Sequence, residues 1–309
     1  MERLHSLKAV FPAAQNIAKI RLEYDNDRWE ERIVTPVRTL QLFITNRCNK
    51  RCKGCFYEKS LGRDEMPLQE YDRLVRYYAP EISKVILLGG EPTMHSGLAD
   101  MIRIDQEKGL RTTIYTNGFD LTPLDEMDLT GVELRIGVLG LNRGEKALAK
   151  IKPTIVPTTI VYMLRKDNID ELMPTALYAE KNFNCKAFYI SSIRDIATTG
   201  SFWKDTDETV PMDEYAHIVN RFIKEYSGGL EEIHIAKRGV LETDRQEEYP
   251  VAASCRFLNI FPDLQKILCP FDISLRKYSV REGFADRKCN KHDSCLLQKI
   301  VLTRKRNLT

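Results

Sequence analysis

Six short apolar runs recur along the first two thirds of the chain, and their spacing leaves little choice of architecture. They are LQLFIT (40–45), KVILLG (84–89), RTTIYTN (111–117), VELRIGVLG (132–140), TIVPTTIVYML (154–164) and KAFYISSI (186–193). Each is rich in β-branched and aromatic residues and bounded by turn formers, as strands buried in a parallel sheet are. Between them, PLQEYDRLVRYYAPEI, SGLADMIRIDQEKG and NIDELMPTALYAEKNF carry apolar residues three and four apart, which predicts helices with one apolar face. Strands alternating with helices build repeated βαβ units, so the predicted fold class is α/β, a partial (βα)6 TIM-like barrel.

Two segments depart from that rhythm. Residues 19–34, KIRLEYDNDRWEERIV, alternate about a polar turn and predict a β-hairpin within an N-terminal extension, residues 1–37. After the helical stretch PMDEYAHIVNRFIKEY, Gly228 and Gly229 punctuate the chain and the pattern turns irregular. The expected division is therefore a barrel over residues 38–230 and a small cysteine-rich domain over residues 231–309. The chain has no run of about eighteen apolar residues, so no membrane association is expected. Its first residues show no uninterrupted apolar stretch of a signal peptide, and a cytoplasmic location is expected. Lys and Arg exceed Asp and Glu by only 47 − 44 = 3, so no basic field selects nucleic acid as a partner.

Against that background eight cysteines stand out, because a reducing compartment points clustered thiols to metal or catalysis. Cys48, Cys52 and Cys55 form CxxxCxxC on the loop after the first barrel strand, at the face where barrel enzymes keep their chemistry. Three thiolates leave a fourth position unclaimed, which suits a [4Fe–4S] cluster with one open iron; a closed zinc site wants four ligands, and no histidine accompanies the loop. Cys255, Cys269, Cys289 and Cys295 follow in the last fifth, the first two at the ends of an expected hairpin, FLNIF and QKIL about a turn at Asp263. Four thiolates there can close a zinc site or an auxiliary cluster, and their spacing does not choose between them. Cys185 precedes the sixth run at the end of the barrel away from the mouth, so it reads as a buried structural thiol. His292 reads as an exposed loop residue.

In these motifs the chain resembles the radical S-adenosylmethionine (SAM) superfamily over roughly residues 38–230. CxxxCxxC follows the first strand; Gly89-Gly90-Glu91-Pro92-Thr93 is similar to the family's GGEP motif; Thr116-Asn117-Gly118 matches TNG; and LRKDNIDEL carries the asparagine turn after the fifth strand. The resemblance implies that Cys48, Cys52 and Cys55 hold the SAM-binding [4Fe–4S] cluster. It implies that Gly89, Gly90, Glu91, Pro92 and Asn117 contact SAM, with Phe56 and Tyr57 as an apolar wall. Ser191, with Ser192 and Arg194, is a strand-end candidate for cofactor or substrate contact. Two departures stand out: Gly54 occupies the usual aromatic position before the third cysteine, and Leu139-Gly140 stands where relatives carry Asp-Gly.

C-x(13)-C with a Pro-Asp turn and CPF at its exit resembles the SPASM/twitch extension of these enzymes, although Leu264 replaces the usual turn glycine. That resemblance implies one auxiliary [4Fe–4S] cluster on the rear cysteines. The implied activity is reductive cleavage of SAM to a 5′-deoxyadenosyl radical, hydrogen abstraction, and net oxidation of a small molecule or peptide by dehydrogenation or cross-linking. A flavodoxin or ferredoxin is the implied electron donor. The rival readings are an epimerase of a sugar or peptide residue with a cysteine hydrogen donor, and a non-enzymatic metal-binding or electron-transfer protein.

Overall fold

The computed structural model describes residues 19–25, 28–34, 39–52, 55, 57–192, 208–236, 257–264, 266–267 and 299–304. All six expected strands form: β3 (Thr39–Thr45), β4 (Lys84–Gly89), β5 (Arg111–Thr116), β6 (Val132–Val138), β7 (Thr158–Leu164) and β8 (Cys185–Ser192). They lie in sequence order, each parallel to its neighbour. The parallel run extends past the expected six, because β9 (Glu232–Ala236) adds beside β8 and β10 (Phe257–Ile260) beside β3. Eight parallel strands therefore curve as an unclosed barrel wall.

The predicted hairpin is present as β1 (Lys19–Asp25) and β2 (Arg28–Val34), paired antiparallel with Asp25 opposite Arg28. It joins the same sheet through β12 (Lys299–Arg304), which bridges β9 and β1. At the other edge β10 turns back into β11 (Lys266–Ile267). Leu264 in that turn takes φ 63°, the left-handed region where a glycine would be unstrained.

Among the described residues, four helices cover one face: α1 (Leu68–Tyr78), α2 (Leu98–Glu107), α3 (Leu172–Asn182) and α4 (Met212–Glu225). Alternation divides each strand between two environments. Leu40, Leu42 and Ile44 of β3, and Leu134, Ile136 and Val138 of β6, pack with Tyr71, Leu74 and Val75 of α1 and their counterparts into the main core. Their alternates face the barrel chamber, where Phe43, Ile86, Leu88 and Tyr57 form a second, smaller apolar cluster. The crossovers from β5 to β6 and from β6 to β7 carry 3-10 turns (Thr122–Leu124, Gly144–Lys146, Leu148–Lys150) in place of α-helices. Among the described residues, no helix is long and apolar enough to cross a membrane.

Candidate active site

The cysteine loop is seated on the GGEP segment by backbone contact. Gly90 N donates to Thr45 O at 2.8 Å and Glu91 N to Arg47 O at 2.7 Å, so the end of β4 lies flat against the first residues of the loop. Such an approach requires glycine. Gly89 holds φ 136°, and a Cβ on Gly90 would overlap the Arg47 carbonyl oxygen and stand 2.6 Å from its carbon. Asn46 closes the loop's outer side, its N donating to Asp64 O at 2.8 Å while its O accepts from Gly62 N at 2.9 Å.

Glu91 is 1% exposed and belongs to the protein's own framework. One carboxylate oxygen accepts from Thr93 N (3.2 Å), Thr93 Oγ1 (3.0 Å) and Thr116 Oγ1 (2.7 Å); the other accepts from Asn117 N (2.7 Å). Burial pushes its carboxyl up, and these donors pull it part of the way back. The side chain thus ties GGEP to TNG. Pro92, buried, begins the short turn Pro92–Met94 that Glu91 caps. Asn117 carries the tie onward: its Nδ2 donates to Asn49 Oδ1 at 2.8 Å, inside the cysteine loop, and its Oδ1 accepts from Phe119 N at 2.8 Å.

Cys48, Cys52 and Cys55 are free thiols of intermediate exposure. Cys55 N donates to Cys52 O at 3.2 Å and Glu58 N to Cys55 O at 3.1 Å, a tight turn that holds the last two together. Burial pushes the Cys48 and Cys55 thiols up; Cys52 adds repulsion to both, Cys55 repels Cys48, and Lys146 opposes the rise at Cys55. Among the described residues, no three His, Cys, Asp or Glu side chains converge on a single metal ion. Three thiols on one loop, with Cys55 packed on the chamber's apolar cluster and the fourth position unclaimed by the loop, fit a [4Fe–4S] cluster with one open iron. Tyr57 roofs that cluster: it stacks on Phe43 (5.1 Å) and donates to Asn46 Oδ1 at 2.5 Å, while Phe43 stacks on Phe261 from the β10–β11 turn (4.4 Å).

Ser191 is half-buried near the C-terminal end of β8, opposite Met163 of β7. Cys185 opens β8 at the far end, packs against the helix-side core, and donates Sγ to Ala187 O at 3.3 Å; burial pushes its thiol up to about 12. The expectations for Phe56, Arg194, Cys255, Cys269, Cys289, His292 and Cys295 lie outside the described residues.

Sequence reasoning placed Asn168 in the asparagine turn after the fifth strand without giving its contacts, and it passed over the chamber's charged groups. Asn168, fully buried, donates Nδ2 to Leu139 O (2.7 Å) and Met163 O (2.9 Å), joining the ends of β6 and β7 where the family's Asp-Gly is missing. Inside the chamber, Glu133 accepts from Thr159 Oγ1 at 2.8 Å and Arg135 Nε at 3.3 Å and pairs with Lys84 Nζ at 3.4 Å. Arg135 Nη1 donates to Tyr115 Oη at 2.8 Å. The available signal was VELRIGV: charged residues at alternate positions of a strand that a parallel sheet covers on both faces.

Residues 42–166 match the model of the Radical SAM superfamily. Over 106 residues the chain is 37% identical to the tungsten-containing aldehyde ferredoxin oxidoreductase cofactor-modifying protein of Pyrococcus furiosus, covering 32% of this chain and 29% of that protein. Over 128 residues it is 30% identical to the probable GTP 3′,8-cyclase of Thermococcus kodakarensis, covering 40% and 39%. The matched segments thus span between a quarter and two fifths of these relatives. The crystal structure of Streptococcus suis SuiB bound to S-adenosylmethionine superposes with a TM-score of 0.61 at 15% identity, covering 80% of this chain and 64% of SuiB, and so shares its fold.

Proposed function

We propose that this chain, whose residues 42–166 match the Radical SAM superfamily, holds a [4Fe–4S] cluster on Cys48, Cys52 and Cys55 and uses it with SAM, as enzymes of that superfamily do. Bound together, cluster and SAM supply a 5′-deoxyadenosyl radical that takes a hydrogen atom from the substrate. The observation that carries the reading is the clamp on the three-cysteine loop: two backbone bonds from GGEP, and Asn117 reaching Asn49.

The chain's own residues set position and solvent. Gly89 and Gly90 bring the β4 edge against the loop, and Glu91 spends its carboxylate fixing GGEP to TNG, so the segment's backbone is what SAM meets. Tyr57, Phe43, Leu88 and Phe261 keep water from the side of Cys55. The proposed outcome is net oxidation of a small molecule or peptide, by dehydrogenation or cross-linking. The rear cysteines hold an auxiliary [4Fe–4S] cluster as one-electron acceptor, and a flavodoxin or ferredoxin supplies reducing electrons in the cytoplasm. A peptide substrate is supported by SuiB, whose structure was also determined with a precursor peptide. The cysteine-rich region, residues 231–309, is proposed as a twitch-like extension; it shares the barrel's sheet through β9, β10 and β12.

Anaerobic reconstitution tests the reading, with iron, sulfide and 5′-deoxyadenosine measured in the whole chain and in a variant lacking the three front cysteines. Two clusters' worth of iron falling to one, with loss of 5′-deoxyadenosine, is the expected result. Iron for one cluster with zinc in the rear would overturn the auxiliary cluster. Product of unchanged oxidation state carrying solvent deuterium would replace oxidation by epimerisation.

A further inference from the structure

We propose that Arg135 anchors an anionic group of the substrate, a carboxylate or a phosphate, inside the barrel chamber, and that Gly137 leaves the room it occupies. This rests on the radical SAM reading, since it assigns the substrate's chemistry at the same site.

Arg135 lies in mid-strand on the chamber face of β6, between the buried core residues Leu134 and Ile136. A guanidinium carries five N–H donors. Arg135 spends one on Glu133 and one on Tyr115, whose ring lies 5.4 Å below the guanidinium carbon. The other three have no partner among the described residues, although the side chain keeps only 16% of its surface accessible. These donors are not shut off in the protein's interior, so they open onto the chamber, where a ligand that brings acceptors can reach them.

Charge points the same way. Lys84 and Arg135 face a single carboxylate, Glu133, which Lys84, Arg135 and Thr159 already share. The trio carries one positive charge in surplus. Across the chamber Glu232 is engaged by His234 at 2.7 Å. A forked, delocalised cation suits a planar carboxylate or a phosphate better than a point charge does.

Space is the independent observation. The next chamber-facing position toward the mouth is Gly137, and a Cβ built there meets nothing within 4 Å. Strand interiors rarely keep a glycine without reason, because it weakens the strand and packs nothing. Here it leaves open the volume between Arg135 and the mouth. Tyr115, which holds Arg135, packs on the same apolar cluster as Cys55, so a group anchored at Arg135 reaches toward the cysteine loop.

The test uses the reconstituted holoenzyme with SAM, and inorganic phosphate and succinate as probes, titrated calorimetrically. One probe is expected to bind, and which one distinguishes a phosphorylated from a carboxylated substrate. Arg135→Gln should weaken that binding by about tenfold or more, Arg135→Lys should restore part of it for phosphate, and Arg103→Gln on the outer face of α2 should leave it unchanged. Gly137→Val, which leaves every ion pair in place, should weaken it as much by filling the gap. Failure of both probes to bind, or binding unchanged from wild type in Arg135→Gln or in Gly137→Val, overturns the proposal. 5′-Deoxyadenosine formed without substrate, after dithionite is added as the one-electron reductant, is measured on the same samples. Its absence from the wild type would sink the radical SAM reading while leaving the binding result to stand alone.

Discussion

Replacing Gly90 with alanine should unseat the cysteine loop with little direct effect on the barrel core. The added Cβ would stand 2.6 Å from the Arg47 carbonyl carbon, against about 3.5 Å for carbon atoms in ordinary contact. The two backbones must therefore separate by about 0.9 Å. The flanking bonds, Gly90 N to Thr45 O at 2.8 Å and Glu91 N to Arg47 O at 2.7 Å, would stretch to about 3.6–3.7 Å, beyond hydrogen bonding. Losing both costs about 1–3 kcal/mol. Gly131→Ala provides the control: Gly131 holds φ 76° with nothing within 4 Å, so alanine there costs about 1–2 kcal/mol of backbone strain and touches no functional loop. Thermal unfolding should thus be lowered comparably in the two variants. Iron bound after anaerobic reconstitution, and 5′-deoxyadenosine formed, should fall in Gly90→Ala alone. Equal iron in both variants would refute the reasoning that this contact seats the loop.

Other consequences are as direct. Glu91→Gln places an amide against the hydroxyls and N–H groups of Thr93, Thr116 and Asn117, leaving one or two donors unmatched at about 1–3 kcal/mol each; SAM affinity should drop more than bound iron, and unchanged SAM affinity would contradict the tie between GGEP and TNG. Asp105 is fully buried between α2 and β5, accepting from Tyr71 Oη and Thr112 Oγ1 at 2.8 Å each, and burial raises its carboxyl from 3.8 to about 7. The native state therefore keeps a proton that the unfolded chain releases, and wild-type stability should fall as pH rises from about 4 to about 7. Asp105→Asn removes this dependence, so its stability relative to wild type should climb by about 4 kcal/mol across that window in urea titrations; a constant difference would count against the raised carboxyl. Cys185→Ala should leave 5′-deoxyadenosine formation intact while lowering the unfolding midpoint, because that thiol packs in the core at the end of β8 away from the mouth; loss of turnover in a folded variant would reverse that assignment.

Much of the fold is legible because a parallel strand buried on both faces must be apolar and β-branched, and its crossovers must be amphipathic. KVILLG and VELRIGV announce themselves for that reason, and PLQEYDRLVRYY follows from its three-and-four spacing. The hairpin of β10 and β11 is legible as FLNIF and QKIL about Asp263, whereas β9 and β12 take their place from the partners that distant segments find in the sheet. The front cysteines are legible because three thiols on one loop need no partner from elsewhere in the chain. Glu133 and Arg135 were passed over because Glu133 meets Lys84 and Thr159, and Arg135 meets Tyr115, 20 or more residues away, which a local pattern does not register.

The sequence alone thus determined the barrel class, the position of the cysteine loop at a strand's end and the order of its motifs, since all of these follow from local periodicity and spacing. Only the tertiary structure decided what Glu91 does. Read in line, it is a loop carboxylate free to meet a ligand; folded, it lies under four donors brought from two loops, because burying a carboxylate is tolerable only when its oxygens are satisfied. Only the tertiary structure, too, set a half-satisfied arginine below an empty glycine. Strands far apart in sequence converge on one chamber, and the charge and volume of that chamber belong to no single segment.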